Sequence, residues 1–273
     1  MGAGRAPAEF SLFLPISTLY IFEEVLIIRG DRPVLQKGDE MGVGNLHGLE
    51  KCSLVDYPGK ISAVLFFGGC NLRCPFCHNP ALVLDPDSQP QVSFNEYIRF
   101  LNGRKGLLDM IVFSGGEPTL CPELREWVTA AKCRHFDTKL DTNGTRPEAV
   151  RKILGELSHV SLDFKTAPER MSELGMDFQE KWLETLDLAC SAPNIQLEVR
   201  TTIHPQIQTA EDLKAMGALL KEHGITRWVW QQFRRIETVA AGFETLPIYT
   251  PDNLFDMAEE IHCDELQIKI RGI

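Results

Sequence analysis

The chain has 273 residues, 44% of them hydrophobic, enough for one large cored domain or two small ones. A formal net charge of −10 argues against non-specific binding of DNA or RNA, because no basic excess exists to neutralise phosphates. Five of the eight cysteines (Cys52, Cys121, Cys133, Cys190 and Cys263) are scattered singly, which excludes a disulfide scaffold and suits a reducing cytoplasm. Proteins or small molecules are the expected partners, with no nucleic acid and no membrane.

The first apolar run, residues 10–22, has the feel of a signal-peptide core but contains Pro15, is too short to span a bilayer and meets Glu23 and Glu24 where a small-residue cleavage site belongs. Residues 1–44 are expected to be a poorly ordered or non-native extension, with Met41 as a candidate native start, and the functional domain to cover 45–273. From there, β-branched apolar runs predict strands over 61–67, 110–114, 138–141, 159–164, 195–203 and 228–233. Amphipathic runs predict helices over 93–103, 122–133, 147–156, 178–190, 209–223 and 251–260. Six strands separated by helices imply an α/β fold of parallel strands with right-handed crossovers. The polar segments "GGCN", "GGEP", "DTNG" and "DFK" all follow strand ends, where parallel α/β proteins build their sites.

Within "FFGGCNLRCPFCHNP", residues 66–80, Cys70, Cys74 and Cys77 lie within eight positions. A structural zinc site needs a fourth ligand, usually from a second close pair, and the other cysteines form none. A redox dithiol from Cys74 and Cys77 leaves Cys70 unexplained. Haem attachment through Cys74 to His78 requires export, which the N-terminal sequence does not support. A cubane cluster bound by three thiolates leaves one iron without a protein ligand, and an open iron is a place for chemistry.

The CxxxCxxC spacing, with Phe76 just before the last cysteine, resembles the radical S-adenosylmethionine (SAM) enzymes, and "SGGEP", Ser114 to Pro118, resembles that superfamily's glycine-rich motif. The resemblance implies a partial (β/α)6 TIM-like barrel with outer helices, a [4Fe-4S] cluster on Cys70, Cys74 and Cys77, and SAM held near Phe76, Gly115, Gly116 and Glu117. Glycine is expected there because a side chain would block close backbone approach. "DTNG" (141–144) and "DFK" (163–165) resemble the glycyl-radical-enzyme activases. In that pattern Asp141, Thr142 and Asp163 help hold a monovalent cation beside the methionine carboxylate, with the backbone of Ser161 contributing. Two carboxylates beside a substrate carboxylate repel it unless a cation or Lys165 intervenes. Arg200 and Thr202, on the fifth predicted strand, are assigned to the nucleoside pocket.

Residues 48–83 are similar almost throughout to the activating proteins of anaerobic ribonucleoside-triphosphate reductases, as is "QQF" at 231–233. Cys52, where an aromatic residue is expected, departs from that pattern. The implied function is reductive cleavage of SAM and formation of a glycyl radical on the reductase, with flavodoxin or ferredoxin as electron donor. The chain has no Gly-Tyr dipeptide of a radical carrier and no inserted ferredoxin-like cysteine set, so no auxiliary cluster is expected. Arg234 and Arg235, past the last predicted strand, are candidates to meet an acidic partner surface. The alternatives are a small-molecule radical enzyme, such as a deazaguanine-forming synthase, and a non-catalytic metal or electron-transfer module.

Overall fold

Residues 45–174 and 179–273 are described by the computed structural model, and the expectations for residues 1–44 lie outside them. The strands are β1 (Leu46–Ser53), β2 (Ser62–Phe67), β3 (Met110–Gly115), β4 (Asp137–Thr142), β5 (His159–Asp163), β6 (Gln196–Ile203), β7 (Arg227–Gln232) and β8 (Gln267–Arg271). They form one sheet in sequence order, with β2 through β8 parallel and β1 antiparallel to β2. Helices α1 (Pro80–Leu84), α2 (Phe94–Arg104), α3 (Leu124–Lys132), α4 (Pro147–Ile153), α5 (Gln179–Cys190), α6 (Ala210–Glu222) and α7 (Pro251–Ile261) make the connections. The result is the expected incomplete, TIM-like barrel of parallel strands with outer helices.

The six predicted strands are β2 to β7, and two further strands extend the sheet beyond them. β1 is largely exposed over its second half and β8 alternates Ile268 and Ile270 with polar residues, so neither carries the continuous apolar run of a strand covered on both faces. The helix predicted over 147–156 ends at Ile153 and finishes in a tighter turn, 154–156.

The helices are held by ordinary local chemistry. Ser93 and Thr209 accept from the backbone of Glu96 and Asp212, whose carboxylates reach back to the cap amides at the starts of α2 and α6. α3 buries Trp127 against Tyr97 of α2 and Phe67 of β2, fixing helix to sheet beside the strand that leads into the cysteine loop. Because side chains alternate along a strand, Lys139 and Asp141 on β4 share one face, as do Glu198, Arg200 and Thr202 on β6. The β5–β6 register sets Asp163 directly opposite Arg200.

Candidate active site

β2 ends at Phe67 and the chain turns through Gly69, at φ +80, into the loop that carries the three cysteines. Several backbone contacts fix this loop. Gly69 N–H donates to the Leu82 carbonyl at 2.8 Å, and the Gly69 carbonyl accepts from Glu117 N–H at 2.9 Å. From the segment after β7, Val239 and Ala240 donate to the carbonyls of Cys77 and Pro75 at 3.0 and 3.1 Å. Asn71 donates to Thr145 Oγ1 at 2.7 Å and accepts from Asn143 Nδ2 at 3.0 Å, tying the loop to the end of β4.

Cys70, Cys74 and Cys77 all line one cavity at the C-terminal ends of the strands. All three thiols are free. Burial pushes the Cys70 thiol up to about 11 and raises that of Cys74, so binding a metal there must displace protons. The donor set of three soft thiols fits an iron–sulfur cluster. Leu72 N–H and Asn143 Nδ2 lie 3.4 and 3.8 Å from Cys70 Sγ, supplying N–H donors to a thiolate.

Phe76, Gly115, Gly116, Asp141, Thr142, Asp163, Lys165, Arg200 and Thr202 line the same cavity, so twelve of the thirteen predicted site residues are brought together. Glu117 is the exception. It is 1% exposed, and its carboxylate accepts from Thr119 N–H, Thr119 Oγ1, Thr142 Oγ1 and Asn143 N–H, bracing the turns after β3 and β4 against each other. The two glycines also have a reason that sequence did not suggest. A Cβ at Gly116 would stand 2.0 Å from the Gly69 carbonyl oxygen, and one at Gly115, whose φ is +117, 2.4 Å from Phe67 N. They let the turn after β3 pack on the cysteine loop as well as approach a ligand.

The charged wall is a continuous row. Lys139 Nζ stands 2.9 Å from Asp141 Oδ1, and Arg200 reaches Asp141 Oδ2 at 3.4 Å and Asp163 Oδ1 at 2.8 Å. Lys165 Nζ meets Asp163 Oδ2 at 2.9 Å and lies 5.8 Å from the Phe76 ring centre. Burial pushes the Asp163 carboxyl up, but Arg200 and Lys165 outweigh it and hold it at about 2. Burial acts the same way on Asp141, and Lys139 with Arg200 keeps it below the ordinary carboxylate range. These residues do not fit the expected monovalent cation: a guanidinium already lies between the two carboxylates.

Sequence reading missed Lys139, Ser114, Asn79 and Asn143. Asn79 donates to the Gly115 carbonyl at 2.8 Å, and Ser114 Oγ donates to Asp141 Oδ2 at 3.2 Å. Asn143 lies inside the quoted "DTNG". Lys139 had a signal too, since a lysine two residues before Asp141 in a buried strand must point to the same side. Arg234 and Arg235 are exposed just past β7, and the Arg234 carbonyl accepts from His78 Nε2 at 3.0 Å.

The sequence matches the radical SAM superfamily profile over residues 64–229. It is 33% identical over 223 residues to a protein of Methanocaldococcus jannaschii named as a glycyl-radical enzyme activating enzyme, covering 78% of this chain and 89% of that one. It is 35% identical over 130 residues to the pyruvate formate-lyase-activating enzyme of Clostridium pasteurianum, covering 46% of this chain and 54% of that enzyme. The fold resembles that of SuiB from Streptococcus suis, solved bound to S-adenosylmethionine, with a TM-score of 0.60 and 16% identity over 77% of this chain. The chain spans 52% of SuiB and 54% of the Clostridium enzyme, about half of each.

Proposed function

Because the chain belongs to the radical SAM superfamily, among the glycyl-radical enzyme activating enzymes, we propose that it generates a glycyl radical on an anaerobic ribonucleoside-triphosphate reductase in the cytoplasm. The superfamily uses a [4Fe-4S] cluster and SAM; what they supply when bound is one-electron cleavage of the sulfonium and abstraction of a hydrogen atom, here from a glycine Cα of the partner. A flavodoxin or ferredoxin is the proposed electron donor. Among the described residues no helix is long and apolar enough to cross a membrane.

The chain's own residues divide the remaining work. Cys70, Cys74 and Cys77 hold the cluster, and the N–H groups of Leu72 and Asn143 near Cys70 Sγ temper the charge on that sulfur. Lys165 faces the methionine carboxylate, since the three cations of the row, Lys139, Arg200 and Lys165, outnumber its two carboxylates by one. Gly115 and Gly116 leave room for the amino group, Phe76 flanks the adenine, and Thr202 borders the nucleoside. Asp141, Asp163 and Thr142 position these groups. Val239 and Ala240 pin the segment after β7 to the backbone of the cysteine loop.

The observation that carries the reading is the sharing of one cavity by three cysteines of a single loop and by Asp141, Arg200, Asp163 and Lys165, with Lys139 backing Asp141 from behind that wall. The likeness over residues 48–83 supports the reductase as partner. The test is anaerobic: reconstitute with iron and sulfide, reduce, add SAM and quantify 5′-deoxyadenosine for wild type and Cys74→Ala. Wild-type product that the variant lacks is the expected result; none from a fully loaded, reducible wild type sinks the proposal. Electron paramagnetic resonance after incubation with the reductase, or in parallel with pyruvate formate-lyase, then tests the partner. A glycyl signal on the lyase alone would replace the reductase.

A further inference from the structure

We propose that Lys139 and Arg200 are the fixed counter-charges of this SAM site, so that SAM binding does not depend on a bound monovalent cation. The inference rests on the SAM site proposed above and concerns how that site handles its two aspartates. Three observations carry it. The space between Asp141 and Asp163 is bridged by Arg200, whose Nη1 and Nη2 lie 3.4 and 2.8 Å from the two carboxylates. The other oxygen of Asp141 faces the ammonium of Lys139 at 2.9 Å, and that side chain is 4% exposed. Lys139 is also anchored from behind, donating to the Asp56 carbonyl of the β1–β2 turn at 2.9 Å.

The charge balance follows directly. Lys139, Arg200 and Lys165 bring three positive charges to the two carboxylates, which leaves one for the carboxylate of an incoming SAM. A metal ion added to this set would meet two fixed cations within a few ångströms, where like charges repel most strongly in a water-poor site. A purely structural role for Lys139 would also explain its burial, so the test must read something that packing alone does not set.

The experiment measures SAM affinity by isothermal titration on anaerobic, cluster-loaded, unreduced protein. Buffers of equal ionic strength contain potassium, sodium or tetramethylammonium as the only added cation. Wild-type affinity is expected to stay within about twofold across the three, a difference of about 0.4 kcal/mol. Tightening by about tenfold in potassium or sodium would overturn the inference while leaving the SAM site intact. Absence of SAM binding in every buffer would instead overturn the site reading itself, and this inference with it.

Lys139→Met keeps the length and removes the charge. It is expected to bind SAM about tenfold more weakly in tetramethylammonium and to recover in potassium or sodium, as a small cation fills the vacated position. Affinity equal to wild type in all three buffers would remove Lys139 from the proposal. Should that variant fail to fold, the wild-type ion series decides the inference alone.

Discussion

At the scale of single residues, the site separates groups that face the cavity from a group that only braces it. Glu117 belongs to a motif associated with ligand binding, yet its carboxylate is consumed by four donors of its own chain. Glu117→Gln would turn an amide N–H toward one of those donors, and the variant is expected to lose about 2 kcal/mol of stability, within the cost of unsatisfied buried groups. Denaturant unfolding of cluster-free protein measures this, and unchanged stability would mean that the brace is dispensable. The motif was legible in the sequence because its glycines and proline stand at fixed offsets after a strand. The direction of the glutamate was not, because Asn143 and Thr142 reach it only once β3 and β4 are paired.

At the scale of elements, the turn after β3 and the cysteine loop after β2 are packed as one unit. Their contact depends on Gly116, where a methyl group would sit 2.0 Å from the Gly69 carbonyl oxygen, a backbone atom that cannot move aside alone. Gly116→Ala is therefore expected to displace the cysteine loop, costing about 3 kcal/mol in the range of overpacked sites. Iron and sulfide retained after anaerobic reconstitution should fall with it, and full retention would show that the loop tolerates the shift. Strands and helices of this half were readable because buried parallel strands are apolar throughout and helices keep a 3.6-residue period. β1 and β8 were not, since strands at the ends of a sheet need only half that apolar surface.

At the scale of the whole molecule, parallel strand ends gather charges from β4, β5 and β6 into one wall, and the wall ties the fold to pH. Asp163 is held at about 2, below its unfolded value near 4, so its contribution to stability is complete above the unfolded value. It is lost as pH falls through the folded value, and it amounts to about 2 kcal/mol. Asp163→Asn should thus show a flatter acid limb in a plot of unfolding free energy against pH, and superposable limbs would count against the ion pairs. The sequence by itself determined the superfamily chemistry, the three cysteines and the alternating α/β order, because each is written in local spacing: CxxxCxxC, glycine offsets and hydrophobic period. Tertiary structure alone decided what the aspartates do. Asp141 and Asp163 lie 22 positions apart in sequence, and a cation between them was a sound expectation until β6 aligned Arg200 opposite Asp163 and β4 turned Lys139 toward Asp141. Charge neutralisation depends on distances in space, and strand register sets those distances.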